Sequence, residues 1–250
     1  MFSFLKDCDL GEVVTIQTLP NQGATSTVYK LHTTTGNYLL KSATKEKYRE
    51  WLATEAEILK NPKSTNLPVP TFYTFIEENE SSHLIMSFEK GIILTNALAQ
   101  ASTQQEKINL IKGFGQFLHR FHERAPILFI EDDWLERQFE KAEKYIKNVQ
   151  TSGTMELLKE LKKNKPSPIK QTMIHGDCTT DNVLVVDGKV SLFIDVAGMI
   201  VGDPRYDIAL ATRSIKNDKQ LLAAFYEGYQ RYKLSEAEFQ YFDEGLYKFF

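Results

Sequence analysis

Cysteine is scarce: Cys8 and Cys178 are the only two in 250 residues. A small secreted chain stapled by disulfides uses more than that, so both thiols are read as reduced and the chain as cytoplasmic. Long apolar runs are also missing. None approaches the roughly 18 residues of a membrane span, and the apolar start of the chain meets Lys6 and Asp7 too soon to form a signal-peptide core. A charge excess of one sign is absent as well. Lys and Arg number 30 against 33 Asp and Glu, a net charge of −3 spread along the chain, with no basic stripe of the kind a nucleic-acid binder displays. Neither a membrane nor a nucleic acid is therefore the expected partner, and the protein is read as a monomer or weak dimer. Repeats, low-complexity tracts and long linkers are lacking too. What remains, 42% hydrophobic residues, is enough for one compact unit or two closely packed lobes.

The most informative stretch runs over residues 173–195. Two apolar runs, 183–186 and 190–194, flank Asp187-Gly188, and Asp-Gly between β-rich segments predicts a hairpin. Asn182 enters the near strand and Asp195 leaves the far one. His175-Gly176-Asp177 sits in the polar loop just before, so the pairing should bring Asp177, Asn182 and Asp195 to the same end of the two strands. Three such oxygen-bearing side chains suit a hard divalent cation such as Mg2+, with one carboxylate left over as a base. That is phosphoryl-transfer chemistry, and it calls for a nucleotide site elsewhere in the chain.

Residues 11–40 read as three short strands joined by a hydroxyl-rich loop and a Gly-Asn turn. The loop at 21–27, with Gly23, Thr25 and Ser26, is either a phosphate cradle or an ordinary hairpin loop. Lys41 closes the third strand and Glu55 lies on the helix expected over 45–60. A strand lysine paired with a helix glutamate fixes an ammonium against nucleotide phosphates in kinase-like folds, although an unrelated surface pair has the same spacing. Two more strands, at 71–77 and around 83–89, lead to a hinge at 87–91.

Helical spacing then dominates, over 94–101, 103–123, 133–146, 155–163, 206–213, 219–232 and 236–250. His119 and His122 stand three apart, but with no third ligand in the pattern they read as packing or capping residues. Asp132 or Asp133 can cap the helix that carries Trp134, Phe139, Ala142, Tyr145 and Ile146 on its apolar face. Asp133, Glu136 and Glu140 form an acidic ridge on it that either faces a cationic substrate or is simply solvated. Ser235 with Glu238 fits a capping box.

The sequence H-G-D-x-x-x-x-N at 175–182, F-I-D at 193–195 and D-I-A-L-A-T-R at 207–213 together resemble the aminoglycoside phosphotransferase family, and within it the aminoglycoside 3'-phosphotransferases. L-L-K at 39–41, Glu55 in E-A-E-I-L, L-P-V-P at 67–70, L-I-M-S at 84–87 and the final Phe249-Phe250 add to it, so the resemblance covers essentially the whole chain. It implies an α+β, bilobal protein-kinase-like fold. A small antiparallel β lobe with one helix would occupy residues 1–90 and a larger, mainly helical lobe residues 91–250. The implied function is a small-molecule O-phosphotransferase that moves the γ-phosphoryl of Mg-ATP, or of GTP in some members, to an acceptor hydroxyl such as an aminoglycoside 3'-hydroxyl. Alternatives are a metabolic kinase for an amino alcohol or sugar, and a non-catalytic nucleotide-binding module.

Carried over by position, Asp177 resembles the catalytic base. Asn182 and Asp195 resemble the Mg2+ ligands, and Lys41 with Glu55 the phosphate clamp. Gly23, Thr25, Ser26, Ser87, Phe88 and Ile194 match the nucleotide-binding positions, and His175 and Asp207 the residues that brace the catalytic loop. The acceptor end departs from the pattern. Where aminoglycoside-acting relatives carry an Asp-Glu pair before the terminal aromatics, this chain has Tyr247-Lys248, with Asp243 and Glu244 about one helical turn upstream. Residues 145–156 offer Gln150, Thr151 and Ser152 in place of an acidic loop. The remaining candidates for a cationic acceptor are Asp133, Glu136, Glu140, Asp181 and the terminal carboxylate of Phe250.

Overall fold

The computed structural model describes residues 2–20, 22–23, 25–61, 66–125, 133–148 and 150–250. Asn21 and Ala24 of the first loop and Asp132, one of the two expected caps, lie outside the described residues. The chain forms two compact units, one of Met1–Gly91 with Leu192–Ala197 and the other of Ile92–Ser191 with Gly198–Phe250. Among the described residues no helix is long and apolar enough to cross a membrane, and both cysteines are free.

The first unit is built on a five-stranded antiparallel sheet, ordered β1 (Val13–Thr18), β2 (Thr27–Thr33), β3 (Asn37–Ala43), β5 (Ser82–Ser87) and β4 (Phe72–Glu77). β3 sits in the middle with neighbours on both edges. Its alternation sends Tyr38 and Leu40 into an apolar cluster with Leu31, Ile85, Phe4 and Leu10, and Lys41 to the opposite face. Helix α1 (Glu46–Lys60) packs on β3, β4 and β5. It buries Leu52, Glu55, Ala56 and Leu59, a stripe at three- and four-residue spacing that takes Glu55 into the interior beside the apolar residues. A short 3-10 helix, Ser3–Asp7, which the sequence pattern does not predict, lays Phe4 flat on the buried His83 ring at 4.5 Å between centroids.

In the second unit, β6 (Ile92–Ile93) pairs with β8 (Val183–Val186), which is followed in the same sheet by β9 (Lys189–Phe193). The hairpin turn holds Asp187 at φ 49 and Gly188 at φ 74, the two left-handed residues that a tight hairpin turn requires. The helices are α2 (Leu94–Gln100), α3 (Gln104–His122), α4 (Trp134–Lys147), α5 (Met155–Lys163), α6 (Pro204–Thr212), α7 (Lys219–Gly228) and α8 (Glu236–Phe239). Thr103, Asp133, Thr154, Asp203 and Asp218 each accept a backbone N–H at the start of one of them, and Ser235 with Glu238 makes the expected capping box. β7 (Thr172–Ile174) pairs antiparallel with β10 (Ile200–Gly202).

Three helix ends differ from the spacing-based expectation. α6 starts at Pro204 rather than Tyr206, because Asp203 caps it and proline is tolerated in the first turn. α7 stops at Gly228, after which Tyr229 takes an extended conformation. The segment expected as one helix over 236–250 widens into a π-helix at Gln240–Gly245 and then tightens into a 3-10 helix at Leu246–Phe249. The changes of pitch keep Phe239, Phe242, Leu246 and Phe249 all in one core with Trp134, Phe139 and Tyr206. Gly153 makes room for the last of these, since a Cβ there would lie 2.3 Å from the Phe249 ring.

Candidate active site

In the first unit the chemistry converges on Lys41. Its Nζ donates to both oxygens of Glu55, at 2.7 and 2.8 Å, and to Asp195 Oδ1. The Lys41 and Glu55 side chains are 7% and 6% exposed and that of Asp195 49%, so the ammonium is buried while one of its carboxylate partners faces solvent. Burial alone would push the Lys41 pKa down, but the charges of Asp195 and Glu55 outweigh it and hold the pKa above the ordinary lysine value. Lys41 is therefore a fixed cation at any physiological pH. Asp195 stands at φ 57, a left-handed turn that ends β9 at Phe193, earlier than the apolar run predicts.

The loop between β1 and β2 is closed by Gln22, which sequence reasoning missed. Its amide donates to the carbonyls of Leu19 and Val28 at 2.5 and 3.0 Å and accepts from the Val28 N–H at 2.7 Å. Gly23 is open, with nothing within 4 Å of where a Cβ would stand, and Thr25 and Ser26 are half-buried. Ser87 ends β5 and its hydroxyl accepts from the Thr71 N–H at 2.8 Å. Phe88 lies under the Lys30 ammonium, 4.5 Å from the ring centroid, and Ile194 is half-buried beside Asp195.

In the second unit the loop after β7 is braced from below. Asp207, fully buried on α6, accepts the backbone N–H groups of His175 and Gly176 at 2.6 and 2.9 Å. The same carboxylate meets His122 Nε2 at 3.2 Å, and His122 Nδ1 meets the Tyr229 hydroxyl at 2.8 Å. Burial pushes the His122 pKa down, so the ring is neutral; an Nε2–H donating to Asp207 then leaves Nδ1 to accept from Tyr229. His122 thus belongs to the brace rather than to a metal pair, and among the described residues no group of three or more His, Cys, Asp or Glu side chains is placed to hold a metal ion. Gly176 has φ 82, and a Cβ there would lie 2.3 Å from the Gly198 carbonyl oxygen, so glycine is required at this position.

The braced loop presents Asp177. Its N–H donates to His175 Nδ1 at 3.2 Å, and its carboxylate accepts from two sides: from Asn182 Nδ2 on Oδ2 at 2.8 Å, and from the Tyr247 hydroxyl on Oδ1 at 3.0 Å. Asn182 also donates to the Asp177 carbonyl at 2.8 Å. With its amide N–H groups committed to Asp177, Asn182 keeps a hard oxygen donor, and Asp195 supplies a carboxylate. Each is a hard oxygen ligand of the kind Mg2+ takes, since that ion characteristically binds one or two protein oxygens and completes its shell with phosphates and water.

Cys178 is fully buried, and burial raises its pKa well above the ordinary thiol value, which makes it inert. Of the residues expected at the acceptor end, Asp133 caps α4 through the Leu135 N–H at 2.9 Å, and Glu136 pairs with Lys165. Glu140 and Asp181 are exposed, and the Phe250 ring lies 5.9 Å from that of Tyr145.

A central antiparallel sheet with a lysine clamped to a helix glutamate, followed by a helical unit that presents an aspartate on a braced H-G-D loop, defines a kinase-like phosphotransferase fold. Solved structures agree. A type VIII aminoglycoside-3'-phosphotransferase superposes with a TM-score of 0.77 at 20% identity, covering 94% of this chain and 93% of its own. An aminoglycoside phosphotransferase from Streptomyces rimosus, in complex with ADP and streptomycin, superposes with a TM-score of 0.74 at 16% identity over 100% and 99% of the two chains. The model of the phosphotransferase enzyme family matches residues 16–243, and the chain belongs to that family. Among curated relatives, an aminoglycoside 3'-phosphotransferase from Enterococcus faecalis is 28% identical over 165 residues, a match covering 61% of this chain and 61% of the relative's length. A homoserine kinase from Neisseria meningitidis serogroup B is 27% identical over 277 aligned positions, covering 97% of this chain and 82% of the relative.

Proposed function

We propose that this chain is an ATP-dependent small-molecule O-phosphotransferase. Supporting the reading most directly is the buried, permanently charged Lys41 held between Glu55 and Asp195, because a fixed ammonium flanked by a metal-binding carboxylate is what a nucleotide triphosphate requires. The first unit supplies the phosphate-binding half of the chemistry through Lys41, Glu55, Asp195 and the loop of Gly23, Thr25 and Ser26, with Ser87, Phe88 and Ile194 at the base of the nucleotide. Asp195 is the residue of this unit that would hold Mg2+, whose contribution when bound is to neutralise phosphate charge, and Asn182 is the corresponding oxygen donor of the second unit.

The second unit supplies the acceptor half. Asp177 accepts the proton of the acceptor hydroxyl as its oxygen bonds to the γ-phosphorus and the bond to the β–γ bridging oxygen breaks, releasing ADP. The protein forms no covalent intermediate; positioning and charge neutralisation carry the rate. His175 and Asp207 keep the loop rigid.

Two acceptor classes follow from the relatives. An aminoglycoside hydroxyl is the reading supported by the 3'-phosphotransferases, with Asp133, Glu136, Glu140, Asp181 and the Phe250 carboxylate as candidate ammonium partners. A small metabolic alcohol is supported by the homoserine kinase match across 97% of this chain. It is also supported by the pairing of Asp243 with Arg213 and of Glu244 with Lys216, which neutralises the carboxylates nearest the expected acidic pair. The test is a coupled ADP-release assay with Mg-ATP across aminoglycosides, homoserine, amino alcohols and sugars. Acceptor-dependent ADP release supports the reading; Mg-ATP binding without turnover on any acceptor would leave a nucleotide-binding module instead.

A further inference from the structure

We infer that Tyr247 is the positioning residue for Asp177 and the residue that sets the charge class of the acceptor, a small alcohol carrying no more than one ammonium group. This rests on the O-phosphotransferase reading above. The Tyr247 hydroxyl donates to Asp177 Oδ1 at 3.0 Å while Asn182 Nδ2 donates to Oδ2 at 2.8 Å. A donor on each oxygen fixes the plane of the carboxylate. The phenol is itself held in place. The Arg213 guanidinium lies 4.0 Å from the Tyr247 ring centroid and bonds the Asp243 carboxylate. The neighbouring Lys248 carbonyl accepts from the hydroxyls of Thr151 and Ser152 at 2.8 and 3.3 Å, which ties the terminal turn to the loop before α5. Burial and the charge of Asp177 push the Tyr247 hydroxyl up to about 12, so it remains a donor at neutral pH.

The same arrangement pairs with cations the two side-chain carboxylates that shortly precede Tyr247 in the chain. Asp243 is committed to Arg213 and Glu244 to Lys216, and Lys248 adds a cation at the next position. An acceptor that presents several ammonium groups here meets Arg213 and Lys248, with both carboxylates already neutralised. A small alcohol meets the phenol and the carboxylate that it positions. Tyr247 thus replaces an ammonium contact by a hydroxyl contact.

The test compares wild type, Y247F and Y247L with Mg-ATP, using homoserine, the polycation kanamycin A and water as acceptors. Y247F removes only the hydroxyl and keeps the ring under Arg213; Y247L removes both. The expected result is that homoserine gives at least tenfold higher kcat/KM than kanamycin A in wild type. Y247F should lower kcat about tenfold on the better acceptor with the KM for Mg-ATP and the Tm unchanged, and Y247L should match its kcat. A merely structural tyrosine would leave Y247F like wild type and lower the Tm of Y247L. That pattern, a Y247F kcat within twofold of wild type, or kanamycin A as the better acceptor, overturns the inference and leaves the phosphotransferase reading standing. A wild-type protein that releases no ADP with any acceptor or with water overturns that reading, and this inference with it.

Discussion

Replacing Lys41 by methionine keeps most of the aliphatic stem and removes the one buried cation of the clamp. Glu55, whose side chain is 6% exposed, is then left beside Asp195 with no counter-charge. It can stay ionised in the interior or take up a proton, and the cheaper course limits the damage. Protonating a carboxyl with an ordinary pKa of ~4.3 costs about 1.4 kcal/mol per pH unit above that value, so the ceiling is about 3.7 kcal/mol at pH 7 and about 1 kcal/mol at pH 5. The sign follows from linkage. In the variant the folded state retains a proton on Glu55 that the unfolded chain releases, so stability falls as pH rises from the unfolded pKa toward the raised folded one. Urea unfolding of wild type, K41M and K41M/E55Q at both pH values measures this. K41M should be destabilised by up to about 3.7 kcal/mol at pH 7 and up to about 1 kcal/mol at pH 5, with the double variant losing the pH dependence. Burial pushes the Glu55 carboxyl up and Lys41 opposes it; equal losses at both pH values, or a pH dependence that survives E55Q, would refute that opposition.

Asp195→Ala should abolish magnesium-dependent nucleotide binding in a calorimetric titration; a normal Mg-ATP affinity would contradict its assignment. Helices α3 and α7 touch backbone to backbone, since a Cβ on Gly115 would lie 2.2 Å from the Phe225 carbonyl oxygen. Gly115→Ala should therefore cost about 1–3 kcal/mol in urea unfolding, and an unchanged midpoint would mean the helices separate freely. Burial pushes the Glu238 carboxyl up, but donors from Tyr232, Ser235 and Arg205 outweigh it and hold its pKa at about 2. Because that pKa is depressed, its stabilisation is full above the unfolded value and is lost as pH falls toward 2. Glu238→Gln should cost about 1–2 kcal/mol at pH 7, discounted for its partial exposure, and the gap to wild type should close on acidification.

Much of this was legible from residues alone. The Asp187-Gly188 hairpin, the strand that Lys41 closes and the polar H-G-D loop before the hairpin all follow from local rules, because turn chemistry and short apolar runs act over short distances. The pairing of Lys41 with Glu55 was readable only as one of two alternatives, since spacing does not say which face of a helix meets a strand. His122 was readable as a packing residue but not as a brace on Asp207, which lies 85 positions away. Tyr247 was visible only as a departure from an acidic pair. Its hydroxyl bond to Asp177 spans 70 positions and depends on the π-helical and 3-10 turns before it, a change of pitch that no periodicity of the terminal segment announced.

The central claim, that Asp177 orients the acceptor hydroxyl for attack on a nucleotide held by other residues, is tested most directly by Asp177→Asn. Mg-ATP affinity is measured by calorimetry alongside acceptor-dependent ADP release. The account predicts a turnover reduced by about 10²-fold or more, within the range for loss of a general base, with nucleotide affinity essentially unchanged. Turnover equal to wild type, or loss of nucleotide binding in parallel with turnover, would contradict it.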